Sequence, residues 1–468
     1  MCAIPKSTTS PNNLPEVPCR HLLVNASGIA DARQFWSGPA AMLLELPAPI
    51  QHTSSTRFPH ILALGKRDDV ASHPAARNAT HLDLNQSILI PALVNAHTHL
   101  DLTHIGPQPF DQIKGFSGWV HLVQSARHTD ARAISESVRS GIALSIEGGT
   151  AAVGDIAGQW STAPFEVLRK CPLMGVSFIE AFGLGNRANA AADRLTSLIE
   201  HHLADHTSNG TQIRIGIQPH APYSAGRLLY QRAAKLSQTL GAPLSTHLAE
   251  SPAERALTQC CEGPLRLMLE SMNLWGNSTT AEFNDTSSPI SRTLELIDGV
   301  ALLAAHVADC TDDDLDRLAR APNVSVAYCP RSADYFGYPK QLGTHRYREM
   351  LSAGINVCFG TDSIINIPPP QAYALSVLDE ARLLYQRDST DPALLLQMAT
   401  INGAIALGID SSLFEFSTHT PVAGVLAIQS ATQQATDNQL RSVFLSTATP
   451  RWVAGIGALC PGTTPSLT

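Results

Sequence analysis

The sequence predicts an α/β protein built on a (β/α)8 TIM-like barrel, with a small discontinuous β-sandwich domain formed from the N- and C-terminal segments. Three observations carry that prediction. Eight short apolar runs alternate with longer helix-compatible stretches through the middle of the chain, which is the rhythm of βα repeats around a parallel sheet. Strand-like segments flank this region on both sides. The 468 residues also exceed what one hydrophobic core usually fills, about 250 to 300 residues.

Residues 1–18 are rich in Pro, Ser, Thr and Asn and read as a flexible tail. From 19 to 87, apolar segments at 21–25, 41–46 and 58–64 are separated by Gly, Pro and Ser clusters, the pattern of a small β unit. The barrel is expected over 88–409. Its candidate strands are 88–95 (ILIPALVN), 151–156 (AAVGDI), 173–180 (LMGVSFIE), 213–219 (IRIGIQP), 243–248 (PLSTHL), 300–306 (VALLAAH), 324–328 (VSVAY) and 355–361 (INVCFGT). Helical patterns fall between them at 131–147, 224–240, 252–272, 311–320 and 371–387. An open doubly wound sheet is the alternative arrangement of the same elements. Residues 276–292, NSTTAEFNDTSSPISRT, read as a polar surface insertion. Beyond 410, PVAGVLAIQS and QLRSVFLST read as strands, so that 19–87 and 410–468 together form the small domain.

Composition narrows the classes of function. Apolar residues make up 44% and charged residues 15%, enough to build a large core. The net charge of −8 and the lack of a Lys/Arg run argue against nucleic acid and leave a small-molecule substrate as the expected partner. The N-terminal MCAIPKSTTSPNNLPEVPCR has no apolar h-region, and no run of about 18 apolar residues occurs, so a soluble, cytoplasmic protein is expected. Nine cysteines, an odd number in a long chain, indicate reduced thiols. On that basis the triplet Asn209-Gly210-Thr211 is surface loop chemistry rather than a glycosylation site. Homodimerisation is left open.

The chemistry gathers at strand ends. In Asn95-Ala96-His97-Thr98-His99 the two histidines alternate with Thr98 and project from one face, where two imidazoles can share an ion. An isolated His-x-His would ordinarily be structural, but this one ends the first barrel strand, on the face where such barrels place their active sites. His220 follows the fourth strand, His247 and His306 end the fifth and sixth, and Asp362 follows the eighth. Imidazoles plus a carboxylate suit a divalent first-row metal with a position left for water. Glu250, three residues after His247, is a candidate proton shuttle or simply an acidic residue favoured at a helix start.

The successive motifs PALVNAHTHLDL, PHAPYS, STHLAES, AAHVADC, CPRSADYFG and FGTDS, spanning 91–363, resemble those of the amidohydrolase superfamily. The similarity is to its deaminase and chlorohydrolase branch, which includes guanine, S-adenosylhomocysteine, methylthioadenosine and aminofutalosine deaminases. The resemblance implies a metal-dependent hydrolase of carbon–nitrogen bonds. It implies His97, His99, His247 and Asp362 as metal ligands, Glu250 as proton shuttle and His306 as base or orienting group, with Asp362 sharing the proton work. Binuclear members carry a carboxylated lysine or a glutamate at the end of strand four. Here that strand ends in Gln218-Pro219-His220, and Lys114, Lys170 and Lys235 fall elsewhere. One divalent ion is therefore expected: zinc, with iron or manganese as alternatives.

The resemblance implies that His220 contacts substrate, while Tyr223 is equally readable as packing. Arg331 presents a planar fork of donors for a carboxylate or ribose, or is an ordinary surface arginine. Glu180 and Trp119 are weaker candidates for the pocket wall. Gly183-Leu184-Gly185-Asn186-Arg187-Ala188 fits a dinucleotide fingerprint literally but reads better as a loop after the third strand. The His-x-x-Glu spacing and the adjacent Cys260-Cys261 exclude the other zinc nucleobase-deaminase architecture. Dehalogenation or amide hydrolysis on the same metal is the alternative activity, since fold and ion do not fix the leaving group. A non-catalytic scaffold would be expected to have lost ligands.

Overall fold

A computed structural model describes residues 20–47, 58–205, 212–283, 286–321, 323–430 and 439–455. The N-terminal tail 1–18 and the Asn209 triplet lie outside the described residues. The strands, in chain order, begin with β1 (Arg20–Ala30), β2 (Phe35–Leu46), β3 (His60–Lys66) and β4 (Thr80–Pro91). Eight more follow: β5 (Leu93–Thr98), β6 (Thr150–Ala157), β7 (Met174–Ala181), β8 (Ile213–Pro219), β9 (Ser245–Leu248), β10 (Leu302–His306), β11 (Val324–Tyr328) and β12 (Asn356–Phe359). The last are β13 (Thr420–Pro421), β14 (Gly424–Gln429) and β15 (Arg451–Gly455).

Strands β5 to β12 pair in parallel as two four-stranded sheets, β5-β6-β7-β8 and β12-β11-β10-β9. Single parallel bridges join the two, Ile217 to Leu244 at one seam and Thr98 to Asp362 at the other. The result is a TIM-like barrel. Every residue of β5, β6, β7, β9 and β10 is buried, as expected of strands covered by helices on one face and packed inside the barrel on the other. The helix Ala131–Glu147 illustrates the covering layer. Asp130 caps it by accepting hydrogen bonds from the amides of Arg132 and Ala133, and Ile134, Val138, Ile142 and Ile146 are buried at four-residue intervals. The chain then turns through Gly149 at φ +82°, a conformation open to glycine, and enters β6.

The terminal segments meet in one seven-stranded sheet of order β13-β3-β2-β1-β4-β14-β15. Period-2 alternation divides its residues: Leu22, Val24, Met42 and Leu44 join one hydrophobic cluster, while Leu23, Ala41 and Leu43 pack with Val70 and Ala76 in another. N-terminal and C-terminal strands thus lie side by side in this sheet. Its strands hydrogen-bond as one continuous sheet, where a sandwich was expected. Trp452 ties this sheet to the barrel by donating its indole N–H to the Ile146 carbonyl at 2.7 Å.

Several expected elements are revised. The candidate strand 88–95 is two strands: residues 88–91 end β4, and the chain crosses at Ala92, whose amide donates to Gly424 of β14 while the next amide, of Leu93, donates to Gly149. QLRSVFL is the helix Gln439–Leu445 rather than a strand, and β15 takes the expected place beside β14. The helical stretch 252–272 is two helices, Pro252–Cys260 and Pro264–Ser271, separated by Cys261 and Gly263 at positive φ. Segment 276–292 is not purely a surface insertion, because Thr279, Phe283 and Ile290 are buried and the helix Pro289–Ile297 begins within it. No helix among the described residues is long and apolar enough to cross a membrane.

Candidate active site

The C-terminal ends of β5, β9 and β10 and the turn after β12 converge on one buried cluster. His97 is fully buried and His99, His247, His306 and Asp362 nearly so. The His97 ring lies 5.2 Å from His99, 5.0 Å from His247 and 5.3 Å from His306, centroid to centroid. His99 Nε2 and His247 Nε2 are 3.3 Å apart. Asp362 Oδ1 faces His99 Nε2 at 3.5 Å and His97 Nε2 at 3.8 Å.

This donor set fits a divalent metal. Both ring nitrogens of His97 and Nδ1 of His99 are buried without a hydrogen-bond partner among the described residues, a costly state for polar atoms with no further function. One ligand atom each of His97, His99 and Asp362 lies within 4.8 Å of the others, as do those of His97, His247 and His306. Burial, reinforced by the neighbouring imidazoles, holds His97, His99 and His306 well below the ordinary histidine pKa. Neutral imidazoles keep the lone pair that a metal needs.

Outer contacts aim these groups. His247 Nδ1 donates to the His220 carbonyl at 2.9 Å, which leaves Nε2 to face the cluster. Asp362 Oδ2 accepts from Ser332 Oγ and Asn366 Nδ2, both at 2.7 Å, so Oδ1 is the oxygen turned to the histidines. Asn95 and Thr361 exchange two hydrogen bonds of 2.8 and 3.1 Å, and Asp362 N donates to the His97 carbonyl at 3.1 Å. The His345 ring donates to the His306 carbonyl at 2.8 Å. Ala249, His306, Val307 and Asp362 all have positive φ, between 48° and 72°, backbone strain of the kind that concentrates at functional sites. Ser332, Asn366 and His345 were not singled out from the sequence.

A cavity of about 770 Å³ opens on this cluster, and His99, His247, Glu250, His306 and Asp362 are part of its wall. Glu250 is buried, with Oε1 3.9 Å from His306 Nε2. Burial, and after it the charges of Asp362 and Glu254, push its carboxyl well above the usual range. Trp119, Glu180, His220 and Tyr223 also line the cavity. The His220 ring stacks on Phe182 at 4.6 Å and meets Tyr223 edge-on at 5.5 Å, and Tyr223 belongs at once to the wall and to a hydrophobic cluster. Glu180 Oε1 lies 3.7 Å from His220 Nε2, and its Oε2 lies 3.5 Å from Arg127 Nη1. Burial alone would raise the Glu180 pKa, but His220 and Arg127 outweigh it and hold the carboxyl below its ordinary value. Arg127 in turn pairs with buried Asp101 at 3.3 Å. The loop at 183–187, set aside as a dinucleotide fingerprint, supplies Gly183, Leu184, Asn186 and Arg187 to the wall.

Arg331 is elsewhere. Its Nε donates to Glu380 Oε1 at 2.6 Å, its amide to Glu380 Oε2 at 2.8 Å and its Nη2 to the Ser376 carbonyl at 3.1 Å. The guanidinium is spent anchoring the helix Val377–Asp388, and the residue is absent from the cavity wall. The expectation of a substrate contact there is corrected: the donor fork is present, but a partner 49 residues away holds it.

Barrel, strand-end histidines and flanking carboxylates define a metal-dependent barrel hydrolase. The chain belongs to the amidohydrolase family, whose sequence profile matches residues 88–414, and is accordingly a hydrolase of carbon–nitrogen bonds. It is 26% identical over 370 residues to aminodeoxyfutalosine deaminase of Deinococcus radiodurans, covering 74% of this chain and 81% of that protein. It is 28% identical over 355 residues to 5-methylthioadenosine/S-adenosylhomocysteine deaminase of Nitratidesulfovibrio vulgaris, covering 74% and 72%. Among solved structures, Helicobacter pylori aminofutalosine deaminase with methylthio-coformycin superposes with a TM-score of 0.72 at 19% identity, covering 93% of this chain and 99% of that one. A mutant atrazine chlorohydrolase of Arthrobacter aurescens TC1, complexed with zinc and atraton, gives 0.69 at 17% identity, covering 96% and 97%. These two structures show the shared fold.

Proposed function

We propose that this chain is a hydrolytic deaminase of a purine-type or related aminated heterocycle, such as an adenosine or aminofutalosine derivative, acting with one metal ion. The observation that carries the reading is the convergence, on one cavity, of the His97–His99–His247–Asp362 cluster with a buried carboxyl, Glu250, facing His306. The deaminases among its relatives support the same reaction.

His97, His99, His247 and Asp362 would hold one divalent ion, with zinc favoured and iron or manganese as alternatives. When bound, it supplies the acidity that makes water a nucleophile near neutral pH. Asp362 and His306 take up and hold the water's proton. Glu250, its carboxyl pushed up by burial, would deliver its proton to the ring nitrogen, the proton held by Asp362 and His306 would pass to the departing ammonia, and the hydroxyl added to the ring carbon would return a proton to Glu250. His220, Glu180 and Trp119 bind the substrate along the wall, and Arg331 has no part in this. A cavity of this size suits a nucleoside-sized molecule. We also propose the division into a barrel that begins at β5, 93–409, and a small domain, 20–91 with 410–455. A cytoplasmic location is consistent with the free thiols of Cys260, Cys261, Cys310, Cys329 and Cys358.

The test is an ammonia-release screen of metal-analysed protein against purines, adenosine derivatives, aminofutalosine and triazines. Ammonia from a nucleoside derivative is expected. Turnover confined to halide release would replace deamination by the chlorohydrolase alternative. Protein that takes up no ion would remove the enzyme reading altogether.

A further inference from the structure

The turn after β9 carries Glu250, and the turn after β10 begins at His306. Both have left-handed backbone, Ala249 at φ +48°, His306 at +72° and Val307 at +52°, and non-glycine residues stay in that region only where their surroundings hold them there. Two consecutive side chains in the helix Pro252–Cys260 each hold one of these turns. Glu254 is fully buried; its Oε1 accepts the amide of Ala249 at 3.0 Å and its Oε2 the amide of Glu250 at 3.1 Å. Arg255 donates from Nε to Asp309 Oδ2, and from Nη2 to the Asp309 carbonyl and to Asp314 Oδ2, all at 2.8 Å. The turns also touch each other directly: Asp309 N donates to the Ala249 carbonyl and Val307 N to the Leu248 carbonyl, both at 2.9 Å.

We propose that Glu254 and Arg255 are positioning residues, a two-sided clamp that sets the distance and aim of Glu250 relative to His306. A pair of backbone hydrogen bonds to the Glu254 carboxyl holds the turn bearing Glu250, and the planar fork of Arg255 holds the segment leading out of His306. Neither side chain reaches the reacting atoms. Their effect passes through the 3.9 Å separation of Glu250 Oε1 and His306 Nε2. The inference rests on the reading of Glu250 and His306 as the proton-handling pair.

The experiment uses full-length, zinc-loaded protein and the variants R255A, R255K and E254Q. Arg255 is the safer site, because its side chain is 18% exposed whereas Glu254 lies in the core. Steady-state kinetics, zinc stoichiometry and crystal structures are measured on each. R255A should bind as much zinc as wild type and change KM less than about 3-fold, while kcat falls about 10- to 100-fold, the cost of an ångström-scale misplacement. R255K, which keeps the charge but cannot serve both aspartates, should recover part of that loss. The crystal structures should show the Glu250–His306 separation lengthened in R255A and E254Q. Unchanged kcat, or a loss that only tracks missing zinc, overturns the clamp. If wild type itself deaminates nothing, the functional reading fails alone, and the crystal structures still decide the clamp: unmoved turns overturn it and displaced turns support it.

Discussion

At the residue scale, the two oxygens of Asp362 do different work. Ser332 and Asn366 occupy Oδ2, so removing both donors frees the carboxylate to rotate. The double variant S332A/N366A should bind zinc about 10- to 100-fold more weakly, read by competition with a chelating dye, with little loss of fold. Glu250 has the opposite sensitivity. E250Q should retain zinc and lose about 10²- to 10⁴-fold in kcat, which single-turnover ammonia release would measure. Asp155, behind the site, gives a pH dependence. Burial, with Asp101 adding, pushes its carboxyl up to about 8 against hydrogen bonds from the Leu100 amide and Ser177. Because the folded pKa lies above the unfolded one, this group's contribution is full below about pH 4 and is lost as pH rises toward 8. D155N should therefore lose less stability than wild type between pH 5 and 7.5 in urea unfolding. An equal loss would show that Asp155 is not the group responsible.

At the element scale, β15 holds the two ends of the chain to the barrel through Trp452. W452A should cost about 3 to 5 kcal/mol, and W452F, which forfeits the bond to Ile146 and part of the ring's packing, less, about 1 to 3 kcal/mol. Chemical denaturation resolves the two. This strand also marks where the sequence was hard to read. QLRSVFL reads as a strand through its β-prone Val and Phe, yet Leu440, Val443 and Phe444 are spaced three and four apart, and in the structure helical period prevails over short-range propensity. The eight barrel strands were legible because most are short continuous apolar runs, although 88–95 concealed a change of sheet at Ala92 that hydrophobicity alone does not register. The site was legible to the extent that its chemistry sits at strand ends. Arg331 was misjudged because Glu380, which claims it, comes from another element, and Glu254 and Arg255 resemble any charged pair in a first helical turn until their partners are seen.

At the scale of the whole molecule, ion binding and folding are linked. Chelation followed by dialysis should lower the melting temperature and abolish turnover, and one equivalent of zinc should restore both. A ligand at about 1,000 times its Kd adds about 4 kcal/mol to the folded state. More than one equivalent needed for recovery would contradict a single-ion site. The two seams of the barrel give this linkage a geometric basis. One four-stranded half carries His97 and His99, the other carries His247, His306 and, just beyond β12, Asp362, and one of the bridges that join the halves is Thr98 to Asp362 itself. On the proposed ligand set neither half contains a complete coordination sphere, so a nascent chain that has made only its first half-barrel would not sequester the ion, and metallation would report that the ring has closed.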